Sequence, residues 1–381
     1  MRKLMRCFGG SRKWFFRICC AIVLFVSAAA SVSGYYERWP FWTTAIAEGS
    51  TEPYEILMLK GTLERPYVYR HLLPDLANFA ERVTPRKRQD ALFESVFPST
   101  RARGGPKFGA LADAPESVRR AWFFPALILY LLTFVSAAFA VTAMYLVCKT
   151  IGMPLPVCVV APMITILLAP YFYIYPYDYS ELAFLMAATW IALRFEWWWL
   201  LPVAALGAWN KESFFFFVPS LYPFLRQRAS ARIAATGVAI LTSVCGLVYI
   251  YTRARFANSP GTPVEFALWD RLSSFFDPFL LFTSTDEVYG FRFLRVSTLF
   301  PTLFLILVMA RTWTQMPGMV RLHGTIAAAI NFPLYVLFCS PNEYRNFSLL
   351  SVVFVLAIAF NLKEWLERSA LNGSGNRGAN P

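Results

Sequence analysis

The sequence predicts an all-α fold, a polytopic transmembrane bundle of about ten helices that includes a short broken pair and carries one long external loop after its first helix. Three observations carry the prediction. Of the 381 residues, 57% are hydrophobic and 15% charged, whereas a soluble domain has roughly 45–50% apolar and about 25% charged residues. The excess apolar surface needs lipid as its solvent. The apolar residues fall in long blocks split by short polar punctuation, and runs such as Ala121 to Val147 and Ile233 to Tyr251 are apolar on every face. Strands of a membrane barrel would alternate in polarity over about ten residues instead. Most lysines and arginines flank these blocks, so the formal charge of +13 reads as an orientation signal, and nucleic acid is set aside as a partner.

At the N-terminus, Arg2, Lys3, Arg6, Arg12, Lys13 and Arg17 precede an apolar stretch from Ile18 to Val32, which makes residues 1–17 a cytoplasmic segment. Trp14 to Val32 is long enough to span as a first helix; a cleavable signal peptide ending at the small residues Ala28 to Ser31 is the competing reading. Residues 33–120 then form the external loop. Within it, Tyr35 to Ala80 is rich in aromatics and prolines and is expected to fold against the membrane surface, with Leu72 to Val83 a short amphipathic helix. Thr84 to Arg120 is polar and punctuated by Gly and Pro, and is expected to be mobile.

Spans follow at Ala121 to Cys148, Leu155 to Tyr173, and Leu182 to Ala192 with its flanks. Between Arg194 and the cluster Arg226, Arg228 and Arg232 lie two apolar blocks, Trp197 to Trp209 and Phe214 to Leu225, interrupted by Asn210, Lys211 and Glu212. Each block is too short to cross comfortably, which predicts two short helices meeting at a polar apex near the outer face. Ile233 to Tyr251, Val296 to Ala310, Ile326 to Phe338 and Phe347 to Leu362 complete a transmembrane domain over 18–368, and 369–381 reads as a disordered tail. Both termini are then cytoplasmic. The seven cysteines lie in or beside apolar segments, with no zinc-ligand spacing, and read as small hydrophobes.

On this topology the polar features of interest collect on one side, outside the cytoplasm. The segment Pro66 to Leu76 contributes Arg70; the turn Tyr175 to Glu181 contributes Asp178 and Glu181. The apex contributes Lys211 and Glu212, and Pro341 to Phe347 contributes Glu343 and Arg345. Ionisable groups at membrane depth are costly unless paired or wet, so each is a functional candidate, although any one could be a solvated loop residue or a local ion pair. His71 reads as a neutral hydrogen-bonding neighbour of Arg70, and His323 as interfacial.

These motifs carry a resemblance. A Tyr-Arg-x-Leu-Leu-Pro segment in the first loop (Tyr69 to Pro74), an aromatic Asp-Tyr turn (Asp178, Tyr179), a Lys-Glu-Ser apex (Lys211 to Ser213) and a Glu-x-Arg segment before the last helix (Glu343, Arg345) resemble bacterial membrane glycosyltransferases of the GT-C class. The resemblance implies transfer of a sugar from a polyprenyl-phosphate carrier to an acceptor on the external face of the bacterial cytoplasmic (inner) membrane, with membrane lipid as a partner. It assigns Asp178 as the catalytic carboxylate, or the ligand of a divalent metal ion if one is used, with Glu37 and Glu55 as rivals. Arg70, Lys211 and Arg345 would face the phosphate, while His71, Glu181, Glu212 and Glu343 support them. A transporter or flippase of a lipid-linked or anionic substrate is the alternative, since it too would use broken helices and intramembrane charge.

Overall fold

Backbone amides in lipid must be satisfied within the segment that carries them, so an apolar block long enough to cross is helical. The computed structural model describes residues 2–38, 54–102, 116–172, 175–269, 285–288, 291–294, 299–339 and 344–375, and follows that rule throughout. Helix α1 covers Arg2–Arg38, and three helices of the first loop follow: α2 (Tyr54–Lys60), α3 (Leu72–Val83) and α4 (Arg86–Ala102). The bundle continues with α5 (Glu116–Thr150), α6 (Leu155–Leu168), α7 (Pro176–Arg194) and α8 (Leu201–Asn210). After these come α9 (Ser213–Leu225), with a 3-10 turn inside it, α10 (Ala231–Arg255), α11 (Leu299–Thr312), α12 (Gly318–Phe338) and α13 (Ser351–Gly375).

Among the described residues, five stretches are long and apolar enough to cross a membrane: Trp14–Tyr36, Glu116–Thr150, Ala231–Arg255, Gly318–Phe338 and Arg345–Ser369. At about 1.5 Å per residue even the shortest spans the hydrocarbon core of roughly 30 Å. The chain thus has the helices of a membrane protein. Large side chains such as Phe25, Val135, Leu247 and Leu307 stay exposed on the outside of the bundle, the arrangement expected where lipid is the solvent.

Small residues let the helices approach. Ala28 and Val32 of α1 are fully buried beside Ala137 and Val141 of α5 and Ile166 of α6, and Ser31 donates to the Ile166 carbonyl at 2.6 Å. Gly207 of α8 lies under the Phe214 ring, where an added Cβ would come within 2.7 Å of ring carbons, so the broken pair packs against itself through that glycine. The break falls at the expected place, with Lys211 in extended backbone between α8 and α9.

Several expectations are corrected. Helix α1 continues past Val32 to Arg38, so the loop begins later than residue 33. Within the stretch Thr84 to Arg120 expected to be mobile, Arg86–Ala102 is helical and packed, with Phe93 buried edge-on against Phe123 of α5 at 5.4 Å and Glu94 bridged by Arg120; residues 103–115 lie outside the described residues. Helix α13 runs on through Gly375, into the segment expected to be a disordered tail; ahead of that segment, Glu364 of the same helix draws in Arg311 at 3.4 Å and Gln315 at 3.1 Å. One element was unforeseen, an antiparallel ribbon of β1 (Thr285–Val288) and β2 (Phe291–Leu294) in register Thr285 to Leu294; its aromatic and β-branched residues suit a pleated pair. His323 is not interfacial. It is fully buried between Phe217 and Phe224, with Nδ1 2.7 Å from the Ser220 carbonyl.

The first loop is fastened to the end of α10. Arg65 donates its backbone N–H to Pro260 O at 2.7 Å and its guanidinium to Ala257 O and Gly261 O. Gly261 is required there, since its φ of +85° and its contact with the Arg65 carbonyl leave no room for a side chain. Asp75 of α3 completes the joint, bridging Arg255 at 2.7 and 2.9 Å and lying 2.8 Å from His71 Nδ1. Partial burial alone would raise the Asp75 carboxyl, but His71 and Arg255 overcome it and hold it down at about 2. A carboxyl whose value is depressed on folding stabilises fully above its unfolded value of about 4 and loses that contribution as pH falls toward 2. Asp75→Asn should therefore lower the detergent melting temperature at pH 7 and shrink the difference from wild type by pH 2, a trend that thermal denaturation across this range measures.

Candidate functional site

The site is assembled where one end of the bundle gathers the N-terminus of α7, the break between α8 and α9, the end of α12 and the lead-in to α13. Pro176 sits at the first turn of α7, where its missing N–H costs nothing. Asp178, two residues on, closes a capping box by accepting the Tyr175 backbone N–H on Oδ2 at 2.7 Å. Glu181 follows three residues later on the same face, one turn along the helix. Both carboxylates point at the α8–α9 break. Asn210 holds that break against α7, donating to Tyr177 O at 2.9 Å and accepting from Ser180 Oγ at 2.5 Å.

With the helix interrupted, Lys211 projects into the bundle and its ammonium lies 2.8 Å from Asp178 Oδ1 and 2.7 Å from Glu181 Oε2. Only 3% of the lysine is exposed. Ser213 and Ser348 both donate to Glu181 Oε1, the latter at 2.6 Å, which ties the lead-in to α13 into the same cluster. Arg345 lies with Nε 3.9 Å from Asp178 Oδ2 and its guanidinium 3.8 Å above the Tyr175 ring. Arg70 reaches in from the first loop, donating to the Tyr177 hydroxyl at 2.6 Å and pairing with Glu212 Oε1 at 3.1 Å.

Six of the ten residues singled out in the sequence thus come together as two adjoining groups, Asp178, Glu181, Lys211 and Arg345 in one and Arg70 with Glu212 in the other, with Arg70 and Lys211 both over the Tyr177 ring. Of the other four, His71 and Glu55 lie elsewhere, and the side chains of Glu37 and Glu343 are outside the described residues. His71 faces Asp75 and stacks on Phe256 at 5.0 Å, so its partner is the α3–α10 joint rather than Arg70. Glu55 is buried in α2, within electrostatic reach of Tyr35 and Tyr36, and its Oε1 has no hydrogen-bond partner. Glu37 lies in the last turn of α1 with its side chain outside the described residues, and Glu343 falls outside them altogether.

Two cavities flank the cluster and share Asp178's partner Arg345 together with Ser348 as a common wall. The first, about 250 Å³, is an apolar groove between α6, α11 and α13, lined by Leu168, Leu305, Met309, Phe332 and Phe354, with Asp178, Glu181 and Arg345 at its polar end. The second, about 240 Å³, is a chamber of mixed lining in which Arg70, Lys211, Glu212, Arg253 and Asn331 lie among apolar side chains such as Phe216, Leu334 and Phe338. Asn331 and Ser348 were not anticipated. Asn331 could have been found as a lone amide in an apolar span, whereas nothing in the sequence distinguishes Ser348 from other serines.

The arrangement can hold an anion at the arginines and offers a carboxylate beside it. Glu212 is the one with spare capacity: Oε1 pairs with Arg70, while Oε2 has no partner. Asp178 and Glu181 are fully engaged. The residues do not fit a divalent metal centre, because the Lys211 ammonium already occupies the space between those two carboxylates and, among the described residues, no group of three His, Cys, Asp or Glu side chains could hold an ion. No protein family, curated protein or solved structure matches this chain.

Two outcomes follow from the burial of these charges. Removing Lys211 strands two carboxylates in a low-dielectric interior, a loss of roughly 3–5 kcal/mol; Lys211→Met should destabilise accordingly in chemical denaturation, and adding Glu181→Gln should recover part of the loss. Glu55 behaves in the opposite sense to Asp75. Burial pushes its carboxyl well above the ordinary 4.5, so its contribution is complete at low pH and is lost as pH rises through the shifted value. Glu55→Gln, which keeps the shape without the titration, should raise the melting temperature at pH 8 and leave it nearly unchanged at pH 4.

Proposed function

We propose that this chain is a polytopic glycosyltransferase of the bacterial cytoplasmic membrane, moving a sugar from a polyprenyl-phosphate carrier to an acceptor at the external face. The observation that carries the reading is the shared wall: one charged cluster with an almost wholly apolar groove on one side and, on the other, a chamber of mixed lining that holds most of the charged groups. A lipid-phosphate sugar has that same division, since its isoprenoid tail must stay in an apolar medium while its charged head meets a hydroxylic acceptor. In this reading the chain crosses about ten times, counting the α8–α9 pair, and both termini lie in the cytoplasm.

The tail occupies the groove along α11 and α13, with the phosphate near Arg345 and Arg70. The acceptor hydroxyl attacks the anomeric carbon from the chamber, the bond from that carbon to the phosphate oxygen breaks, and the lipid phosphate departs with the electron pair. Arginines stabilise the charge that develops on it, and charge-assisted contacts of this kind gain strength where water is excluded. The proton of the attacking hydroxyl goes to Glu212 Oε2. Asp178 and Glu181 act indirectly: they hold Lys211 and Arg345, and an engaged carboxylate is a poor base. Arg70 also restrains Glu212, so a single substitution there disturbs both phosphate and base.

Purified protein given radiolabelled polyprenyl-phosphate sugars and membrane acceptors should release free lipid phosphate, and Glu212→Gln should slow that release by roughly 10²–10⁴-fold, the usual contribution of a positioned base. Arg345→Ala should chiefly raise the donor concentration needed. Movement of the labelled lipid across proteoliposomes with its sugar–phosphate bond intact would overturn the transferase in favour of a flippase.

A further inference from the structure

The chamber of mixed lining contains a feature that the charge network does not use. Asn331, in the middle of α12, is 2% exposed, and its Nδ2 donates to the Asn346 carbonyl at 2.7 Å. That bond fixes which way the amide faces, because the nitrogen alone can donate to a carbonyl. The Asn331 Oδ1 is left as a buried acceptor without a partner, in a residue that lines the chamber. Glu212 Oε2, another acceptor, and Arg70 Nε, a donor, are also buried without a partner there. Unmet polar atoms in an interior are costly unless something that enters satisfies them.

The ligand chemistry follows from what these atoms tolerate together. The cations Arg70, Lys211, Arg253 and Arg345 suit an anion along one side of the chamber, but an anion alone would leave the acceptors Asn331 Oδ1 and Glu212 Oε2 unmet, and an apolar molecule would leave all three atoms desolvated. A hydroxyl can donate to Asn331 Oδ1 or Glu212 Oε2 and accept from Arg70 Nε. Tyr249 and Tyr335 line the same space, and aromatic faces pack well against the C–H faces of a sugar ring while hydroxyls at its edge are read by polar groups. The volume of about 240 Å³ is of the size of a monosaccharide rather than a polymer. We infer that the chamber is a carbohydrate-binding subsite for the acceptor, with Asn331 the residue that reads one ring hydroxyl. Only the word acceptor rests on the transferase reading; carbohydrate recognition rests on the chamber itself.

A site built to accept a hydrogen bond from a hydroxyl discriminates strongly against a ligand that lacks it. The test uses saturation-transfer NMR on the full chain in a detergent without a sugar headgroup, with the methyl glycosides of glucose, mannose, galactose and arabinose as probes. At least one should take up saturation at its ring protons. Asn331→Leu should weaken that ligand at least about tenfold, the cost of one lost charge-neutral hydrogen bond in a buried site. Because Asn331 also braces the lead-in to α13, a second variant keeps the test sound: Val264→Trp, at the exposed rim of the chamber, fills the space and should abolish the signal without touching the cluster. No transfer to any glycoside, or an unchanged signal in Val264→Trp, overturns the subsite; an unchanged signal in Asn331→Leu overturns its role as reader. Glycoside binding in a protein that releases no lipid phosphate would reject the transferase and leave the chamber standing.

Discussion

A lysine ammonium held between two carboxylates inside a helical bundle is the constraint on which the rest of this structure depends. Lys211 can reach Asp178 and Glu181 only because the chain stops being helical at Asn210 and resumes at Ser213. A continuous helix would carry the lysine around its own axis and leave the carboxylates facing each other unpaired. The interruption is itself expensive, since it opens backbone groups; Lys211, Phe214 and Phe215 recover theirs by donating to the Gly207, Lys211 and Glu212 carbonyls, and the Asn210 side chain fastens the break to the first turn of α7. Breaking the helix, capping α7 and pairing the charges are therefore one arrangement rather than three, and each fails if another is removed.

The same cluster explains why two different spaces lie side by side. Asp178 and Glu181 close the apolar groove, Arg70, Lys211 and Glu212 face the chamber of mixed lining, and Arg345 stands in the wall of both. Ser348 bridges them through Glu181, so the lead-in to α13 is the thin partition between an environment suited to hydrocarbon and one suited to hydroxyls. A substrate with both characters can be bound across such a partition without moving its charge into lipid. Arg345 stacked on Tyr175 gives that partition a cation whose position is fixed by an aromatic face as well as by Asp178.

The first loop matters because it supplies Arg70 from outside the bundle. Its helices are held by contacts that a polar composition does not advertise: Phe93 on Phe123, Asp75 on Arg255, and Arg65 on the turn after α10. A stretch rich in Arg, Lys, Gly and Pro looked mobile because composition averages over residues, whereas one buried aromatic and a few bridges suffice to order α4. Glu55 shows the converse. Its type and loop suggested chemistry, yet it sits buried away from the cation cluster, where its neutral form is favoured.

What the sequence alone determined was the material of the fold and the identity of most charged candidates. Apolar runs that are hydrophobic on every face can only be helices in lipid, α3 was readable from its amphipathic period, and the polar apex between two short blocks marked the break at Lys211. Rarity made Arg70, Asp178, Lys211 and Arg345 visible, because a charge near an apolar span has few reasons to be there. Tertiary structure decided who meets whom. It set Asp178 as a capping residue already saturated with partners and left Glu212 with a spare oxygen, a difference of hydrogen-bond geometry that no spacing encodes. It also brought Ser348 and Asn331 to the site, ordinary polar residues whose importance comes only from the helices that close around them.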